Sequence, residues 1–219
     1  MNQKRKEIIV SFGRWNPTTK AHVMVWNHGK DIATERNCQH KVFVTHTHDS
    51  SRNPIPPKIK LGWCKKIAPH ISFILTGGKN GVRTPIDAIN DLVAKGYTHI
   101  TIVAGDDRKE FEELLNKYLE SPCEISFVSA GNRKEDFVMP DGNVVSIENV
   151  SGTKLREYIY SLVQLDEAFK FMPISLSLGQ KVELYYDVLI GSGYVSKSSK
   201  VRNAARENYL KKLNDDKKK

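Results

Sequence analysis

Short, almost wholly apolar runs alternate with longer stretches of helical periodicity along most of the chain. The runs are "EIIVSF" from Glu7, "KVFVTH" from Lys41, "ISFILT" from Ile71, "HITIVA" from His99 and "EISFVS" from Glu124. Helical patterns follow over 21–36, over about 57–68, from Thr84-Pro85 onward and over 109–119. A turn-rich segment with Pro140-Asp141-Gly142-Asn143 then precedes "VVSI". Apolar strands each followed by a helix predict a parallel sheet covered on both faces. With right-handed crossovers, the fold class is α/β with a doubly wound parallel sheet.

Helix starts are marked locally. Thr84 reads as an N-cap with Pro85 at the first helical position, and Ser177 with Gln180 reads as a capping box. Val182, Tyr185, Tyr186 and Leu189 recur at i, i+3, i+4 and i+7, the stripe of a helix that packs one face on a core. Ile190-Gly-Ser-Gly-Tyr194 and "SKSS" form a linker. A weaker amphipathic helix carrying Val201, Ala204, Ala205, Tyr209 and Leu213 follows it. The division expected is a main domain over 1–172 and a helical extension with a basic tail over 173–219.

Composition narrows the class. At 219 residues, 39 % hydrophobic and 27 % charged, the chain fits one α/β domain plus an appendage. No apolar run approaches the ~18 residues of a membrane span, and the N-terminal "MNQKRKEIIV" reads as the approach to a strand rather than a signal peptide. A cytoplasmic location is expected. Cys38, Cys64 and Cys123 are far apart and odd in number, which suits reduced thiols rather than a disulfide framework. The net charge of +9 is uneven: residues 195–219 hold nine Lys/Arg against three acids, leaving +3 for the rest. A tail of that kind could engage nucleic acid or an acidic partner electrostatically, whereas the body argues against a sequence-reading nucleic-acid protein.

Two segments carry candidate chemistry. In an open parallel sheet, ligands bind beyond the carboxyl ends of the strands where strand order reverses, and Gly13–His22 follows the first strand. Gly13 lets the chain turn and a ligand approach. Thr19 and His22, three apart at a helix start, can both donate to phosphate, aided by the helix N-terminus. In "NVSGTKLRE", Ser151, Gly152 and Thr153 open another helix, with Arg156 one turn on offering a fork suited to phosphate. Two phosphate cradles far apart in sequence suit one long polyanion.

The stretch "GRWNPTTKAH" resembles the GxFxPx(H/T)xGH pattern, and "VSGTKLR" the ISxTxxR pattern, of the adenylyltransferase and cytidylyltransferase superfamily, about 130 residues apart. The resemblance covers roughly residues 7–172 and implies a Rossmann-like fold. "GR" together with "HDSSRNP" is most similar to the nicotinamide-nucleotide adenylyltransferases of archaeal type. It implies that Arg14, Thr19, His22, Ser151, Thr153 and Arg156 contact the triphosphate of ATP. It also implies that Ala104, Gly105, Asp106 and Asp107 lie near the nucleobase. Thr19 stands where many members have a histidine, Trp15 replaces a phenylalanine, Ala21 a glycine and Gly152 a serine. The region from Val150 through "FKFMP" resembles nucleotidyltransferase-like proteins of large phages. Homo-oligomers are common in the family.

The implied chemistry agrees with the residues. A phosphate acceptor is already a nucleophile at neutral pH, so positioning and charge stabilisation suffice without a general base. Mg²⁺ would be held mainly by phosphates and water. Cytidylyl transfer and a non-catalytic, structural or virion-associated protein that keeps the fold are the alternatives. His46, His48 and Asp49 read as a polar loop at the site's mouth, with too few ligands for zinc. "TGGKNG" at 76–81 lacks the ending of a P-loop and reads as a flexible connection or lid. Trp26 and Trp63 read as packing residues.

Overall fold

The computed structural model describes residues 5–77, 81–108, 123–131, 136–138, 144–146, 150–162 and 165–195, with single positions at 110, 113, 117 and 207. Five strands form one all-parallel sheet: β1 (Glu7–Gly13), β2 (Gln39–Val44), β3 (Phe73–Leu75), β4 (His99–Ala104) and β5 (Glu124–Ser129). Their order is β3-β2-β1-β4-β5. The sheet is thus a doubly wound Rossmann-like one. Register places Ile8 beside both Gln39 and Ile100, and Ile102 beside Phe127. A separate antiparallel ribbon pairs β6 (Asp136–Val138) with β7 (Val144–Ser146) across the turn-rich segment.

The apolar runs become strands because both faces are covered: Ile8, Ile9 and Val10 are all fully buried. On one face Ile8, Val10, Phe43, Ile100 and Ile102 meet Ala88, Ile89 and Leu92 of α3 (Pro85–Ala94). On the other lie α1 (Lys20–Glu35) and α2 (Pro57–Ile67), joined by α4 (Gly152–Tyr160), α5 (Leu165–Phe171) and α6 (Leu178–Gly191). Trp26 of α1 is fully buried, edge-on to Trp15 and Phe73.

Several helix starts follow their local signals. Thr84 caps α3 and Ser177 caps α6, each in a reciprocal capping box with Asp87 and Gln180. The segment after 172 packs into the main core: Val182, Tyr185, Val188 and Leu189 share one apolar cluster with Trp26, Val42 and Trp63. Trp63 also donates to the buried Asp187 carboxylate at 2.7 Å, tying α2 to α6. Most of the helix expected over 109–119, and the one expected after 200, lie outside the described residues. Among the described residues no helix is long and apolar enough to cross a membrane, and all three cysteines are free.

Strand order reverses between β1 and β4. Connections leave these neighbours in opposite directions, opening a crevice beyond Gly13 and Ala104.

Candidate functional site

The loop after β1 is built around an aromatic. Trp15 has a left-handed backbone (φ 47°), is 6 % exposed and donates its indole N–H to the Phe43 carbonyl at 2.9 Å. A Cβ on Gly13 would lie 2.5 Å from that indole ring. The space kept by Gly13 is therefore filled by Trp15 from below, while its backbone borders the crevice. Asn16 is 3 % exposed and hydrogen-bonds both ways with the Ile55 backbone, at 3.0 and 3.1 Å. Asn16-Pro17 is a cis peptide.

Thr19 and His22 form the capping box of α1, with histidine taking the place of the usual Glu or Gln. The Thr19 hydroxyl accepts the His22 N–H at 3.4 Å, and the Thr19 N–H donates to His22 Nδ1 at 3.0 Å. This sets the ring's chemistry: Nδ1 is an acceptor, so the neutral imidazole carries its proton on Nε2. His22 borders the crevice with the Trp15 indole edge-on to it at 5.0 Å between centroids. Thr19 is fully buried and does not line the crevice. Its hydroxyl caps the helix instead of facing a ligand, because an N-cap oxygen turns back toward the first helical turn.

The second motif meets the first across 140 residues. Ser151 caps α4 by accepting the Lys154 N–H at 3.1 Å. Arg156 donates to the Asn16 carbonyl at 2.6 Å and to the Thr153 hydroxyl at 3.1 Å. Gly152 lies against Pro17, with room for a Cβ at 3.4 Å from the nearest atom.

Between the two motifs and the end of β4 lies a cleft of about 200 Å³. Gly13, Arg14, His22, Ser151, Gly152, Thr153 and Arg156 border it, together with Gly105 and Asp107. Two further cations on its wall are Arg52 and Arg108. Among the described residues, four guanidiniums and one imidazole thus face a single carboxylate, Asp107, which suits an anion of several charges. A second cavity of about 320 Å³ opens on the α3 side, floored by Phe12, Pro85 and Ile102 and reaching Thr45. The two cavities share Phe12, Gly13, Arg14, Ala104 and Arg108.

Behind Thr45 lies Lys60, which no motif marks. It is 1 % exposed, and its ammonium reaches the Thr45 hydroxyl at 3.3 Å and the Thr47 carbonyl at 3.4 Å. Burial, with Arg14 nearby, pushes its pKa down to about 8. A sequence signal existed: the buried stripe of α2 is Lys60, Trp63, Cys64 and Ile67, with lysine at its first position and Ile59 exposed.

The polar loop after β2 is occupied internally. His46 Nδ1 lies 3.2 Å from the Thr76 hydroxyl, and His48 Nε2 lies 3.1 Å from the Pro54 carbonyl. Backbone and side-chain donors on 51–53 hold the Asp49 carboxyl well below its usual range. No group of three or more His, Cys, Asp or Glu able to hold a metal occurs among the described residues. Residues 78–80 of the "TGGKNG" segment lie outside them.

No family model matches the chain, and no curated protein sequence matches it. Solved structures do match. The nicotinic acid mononucleotide adenylyltransferase of Plasmodium falciparum complexed with NaAD aligns over 85 % of this chain and 95 % of its own, with TM-score 0.54 and 12 % identity. At that identity the likeness is one of fold, the Rossmann-like parallel sheet with its flanking helices. The same enzyme complexed with APC matches at TM-score 0.34 and 14 % identity, over 86 % of this chain and 96 % of its own. A macrolide-efflux protein of Streptococcus pneumoniae matches at 0.46 and 16 %, over 78 % and 66 %. Neither of these two carries weight at such scores.

Proposed function

We propose that the chain is a nucleotidyltransferase that moves AMP from ATP to a phosphate-bearing acceptor such as nicotinamide mononucleotide, releasing pyrophosphate. The observation that carries this reading is the pair of cavities meeting at Gly13 and Arg14, one ringed by cations and one floored by apolar groups. A triphosphate donor fits the first, its base toward Gly105 and Asp107. A flat ring on a phosphorylated acceptor fits the second. The fold shared with a nicotinic acid mononucleotide adenylyltransferase supports the same reading.

An acceptor phosphate oxygen attacks the α-phosphorus where the cavities meet. A new P–O bond forms, the bond to the bridging oxygen breaks, and pyrophosphate leaves with the electron pair. The attacking oxygen is already anionic, so no general base is required. Catalysis is then positioning and charge stabilisation. His22 donates Nε2–H to a phosphate oxygen, since Nδ1 is occupied by Thr19. Arg14 and Arg156 bind oxygens on either side, and the N-termini of α1 and α4 add backbone donors. Lys60 supplies the counter-charge for the acceptor's phosphate through the Thr45 wall.

Asp107, the carboxylate on the cleft wall among the described residues, is the group that would face a Mg²⁺ brought in with the phosphates. When bound, the metal would supply neutralisation of charge building on the leaving pyrophosphate.

The test is pyrophosphate release from ATP and Mg²⁺ with nicotinamide mononucleotide, comparing wild type with His22→Ala. Release that falls by about a hundredfold or more in the mutant is the expected result. Equal release by both would overturn the assignment of His22. No release with any member of a panel of phosphorylated acceptors, or no ATP binding, would overturn the activity.

A further inference from the structure

Beyond α6 an aromatic pair stands beside the cleft. Tyr194 stacks on Tyr160 of α4, with ring centroids 5.0 Å apart and planes 12° from parallel. Tyr160 is half-buried, whereas Tyr194 is 57 % exposed, so one face of its ring rests on Tyr160 and much of the rest is open. The pair is anchored to the site on two sides. Tyr160 lies one helical turn on from Arg156, which borders the cleft, and its hydroxyl donates to the Ser51 carbonyl at 3.5 Å. From Ser51 back to Thr45, on the wall of the second cavity, the chain spans at most ~20 Å.

Tyr194 is also where the excess charge begins. The residues after it, 195–219, hold nine Lys/Arg against three acids, which is +6 of the chain's +9. The cleft has its own cations for a triphosphate, and an acceptor of one nucleotide leaves the tail without a counterpart. Dense positive charge next to an exposed aromatic on a fixed support is the chemistry that binds single-stranded nucleic acid: phosphates meet the cations and a base lies on the ring. An acidic protein would use the charge but not the ring.

We infer that the acceptor is the 5′-phosphorylated end of a single-stranded polynucleotide. Its terminal nucleotide enters the second cavity, a base further along stacks on Tyr194, and the tail's cations neutralise its phosphates. The inference rests on the nucleotidyl-transfer reading and names its acceptor. A terminal 5′-phosphate has the anionic oxygen that the reaction needs. That oxygen bonds to the α-phosphorus of ATP, the bond to the bridging oxygen breaks, and pyrophosphate leaves with the electron pair. The strand then ends in an adenosine joined through a 5′,5′-diphosphate.

The experiment gives the full chain ATP, Mg²⁺ and a single strand of about twelve nucleotides, as RNA and as DNA, with a 5′-phosphate or a 5′-hydroxyl. Transfer of radiolabelled AMP to the strand, and binding by fluorescence anisotropy, are read for wild type, Tyr194→Ala, Tyr194→Phe and a variant with Lys197, Lys200, Arg202 and Arg206 all changed to Gln. AMP should pass to the 5′-phosphorylated strand and not to the 5′-hydroxyl one, and the RNA and DNA arms tell which polymer is the source. Tyr194→Ala should weaken binding about tenfold and Tyr194→Phe less than twofold, since stacking needs the ring and not the hydroxyl. The glutamine variant should reduce the slope of log K against log salt by about 3, at ~0.7 per phosphate contact. Pyrophosphate release with nicotinamide mononucleotide should be unchanged in Tyr194→Ala, because that residue borders neither cavity. Release with nicotinamide mononucleotide but no AMP on any strand would overturn the inference and leave the activity standing. Strand binding that Tyr194→Ala does not change, a wild-type salt slope in the glutamine variant, or equal transfer to the 5′-hydroxyl strand would overturn it too. No pyrophosphate from any acceptor and no ATP binding would overturn the activity reading itself.

Discussion

Replacing Lys60 by methionine should make the unliganded protein more stable while removing acceptor binding. Lys60 is 1 % exposed, and its pKa falls from an ordinary 10.5 to about 8. A gap of about 2.5 units at ~1.36 kcal/mol each puts the strain of holding the charge near ~3 kcal/mol. The folded pKa is depressed, so the cost is fully present below about pH 8 and is relieved as pH rises toward 10.5. Methionine keeps the length and packing of the stem but gives up the contacts to Thr45 and Thr47, worth about 1 kcal/mol. Lys60→Met should therefore gain about 2 kcal/mol at pH 7, or roughly 4–8 °C in Tm for a chain of this size. Urea unfolding at pH 7, 9 and 10.5 reads the sign directly: the variant's advantage should shrink across that range. Pyrophosphate release should fall in the same protein, because the acceptor's phosphate has lost its counter-charge. A variant no more stable than wild type at pH 7, or an advantage that does not change with pH, would refute the reasoning.

Other outcomes follow from the same geometry. His40 is 6 % exposed, and burial, with Lys30 nearby, holds its pKa down to about 4. The stability it contributes by staying neutral is present above about 6.5 and lost as pH falls toward 4. His40→Gln should flatten that limb of a stability-versus-pH curve. Gly152→Ser has room at 3.4 Å and should retain activity and Tm within experimental scatter, whereas Gly13→Ala, which would push a methyl into the Trp15 ring, should lose both. Trp63→Phe takes the indole donor from the buried Asp187 carboxylate and should cost about 1–3 kcal/mol in denaturant unfolding.

Elements were legible in the sequence where one local rule decides them. β4 and β5 keep the expected bounds to the residue, because an apolar run flanked by polar groups has one way to be buried. β3 is shorter than "ISFILT": Ile71 is buried in the core but precedes the strand, so hydrophobicity there reports packing rather than pairing. α5 carries no capping signal and β6 only three residues, and both escaped the reading. At the site, both motifs were visible as loops that open helices. The roles of Thr19 and His22 were not, because a histidine at the third helical position looks alike whether it caps or binds. Lys60 is set by tertiary contacts, with Thr45 and Thr47, that no local window contains.

Gly191, at the end of α6, packs so closely on Pro54 that a Cβ there would overlap the Pro54 carbonyl oxygen, and this contact bears on how the molecule comes into being. A ribosome delivers the sheet strands first, and they can pair among themselves as they emerge. The loop at Pro54 cannot be backed until residue 191 has left the exit tunnel, and Asn16 waits for Arg156 in the same way. The growing chain thus carries its cleft-facing loops unfinished through most of synthesis. Both loops are completed late and together, with the docking of α6.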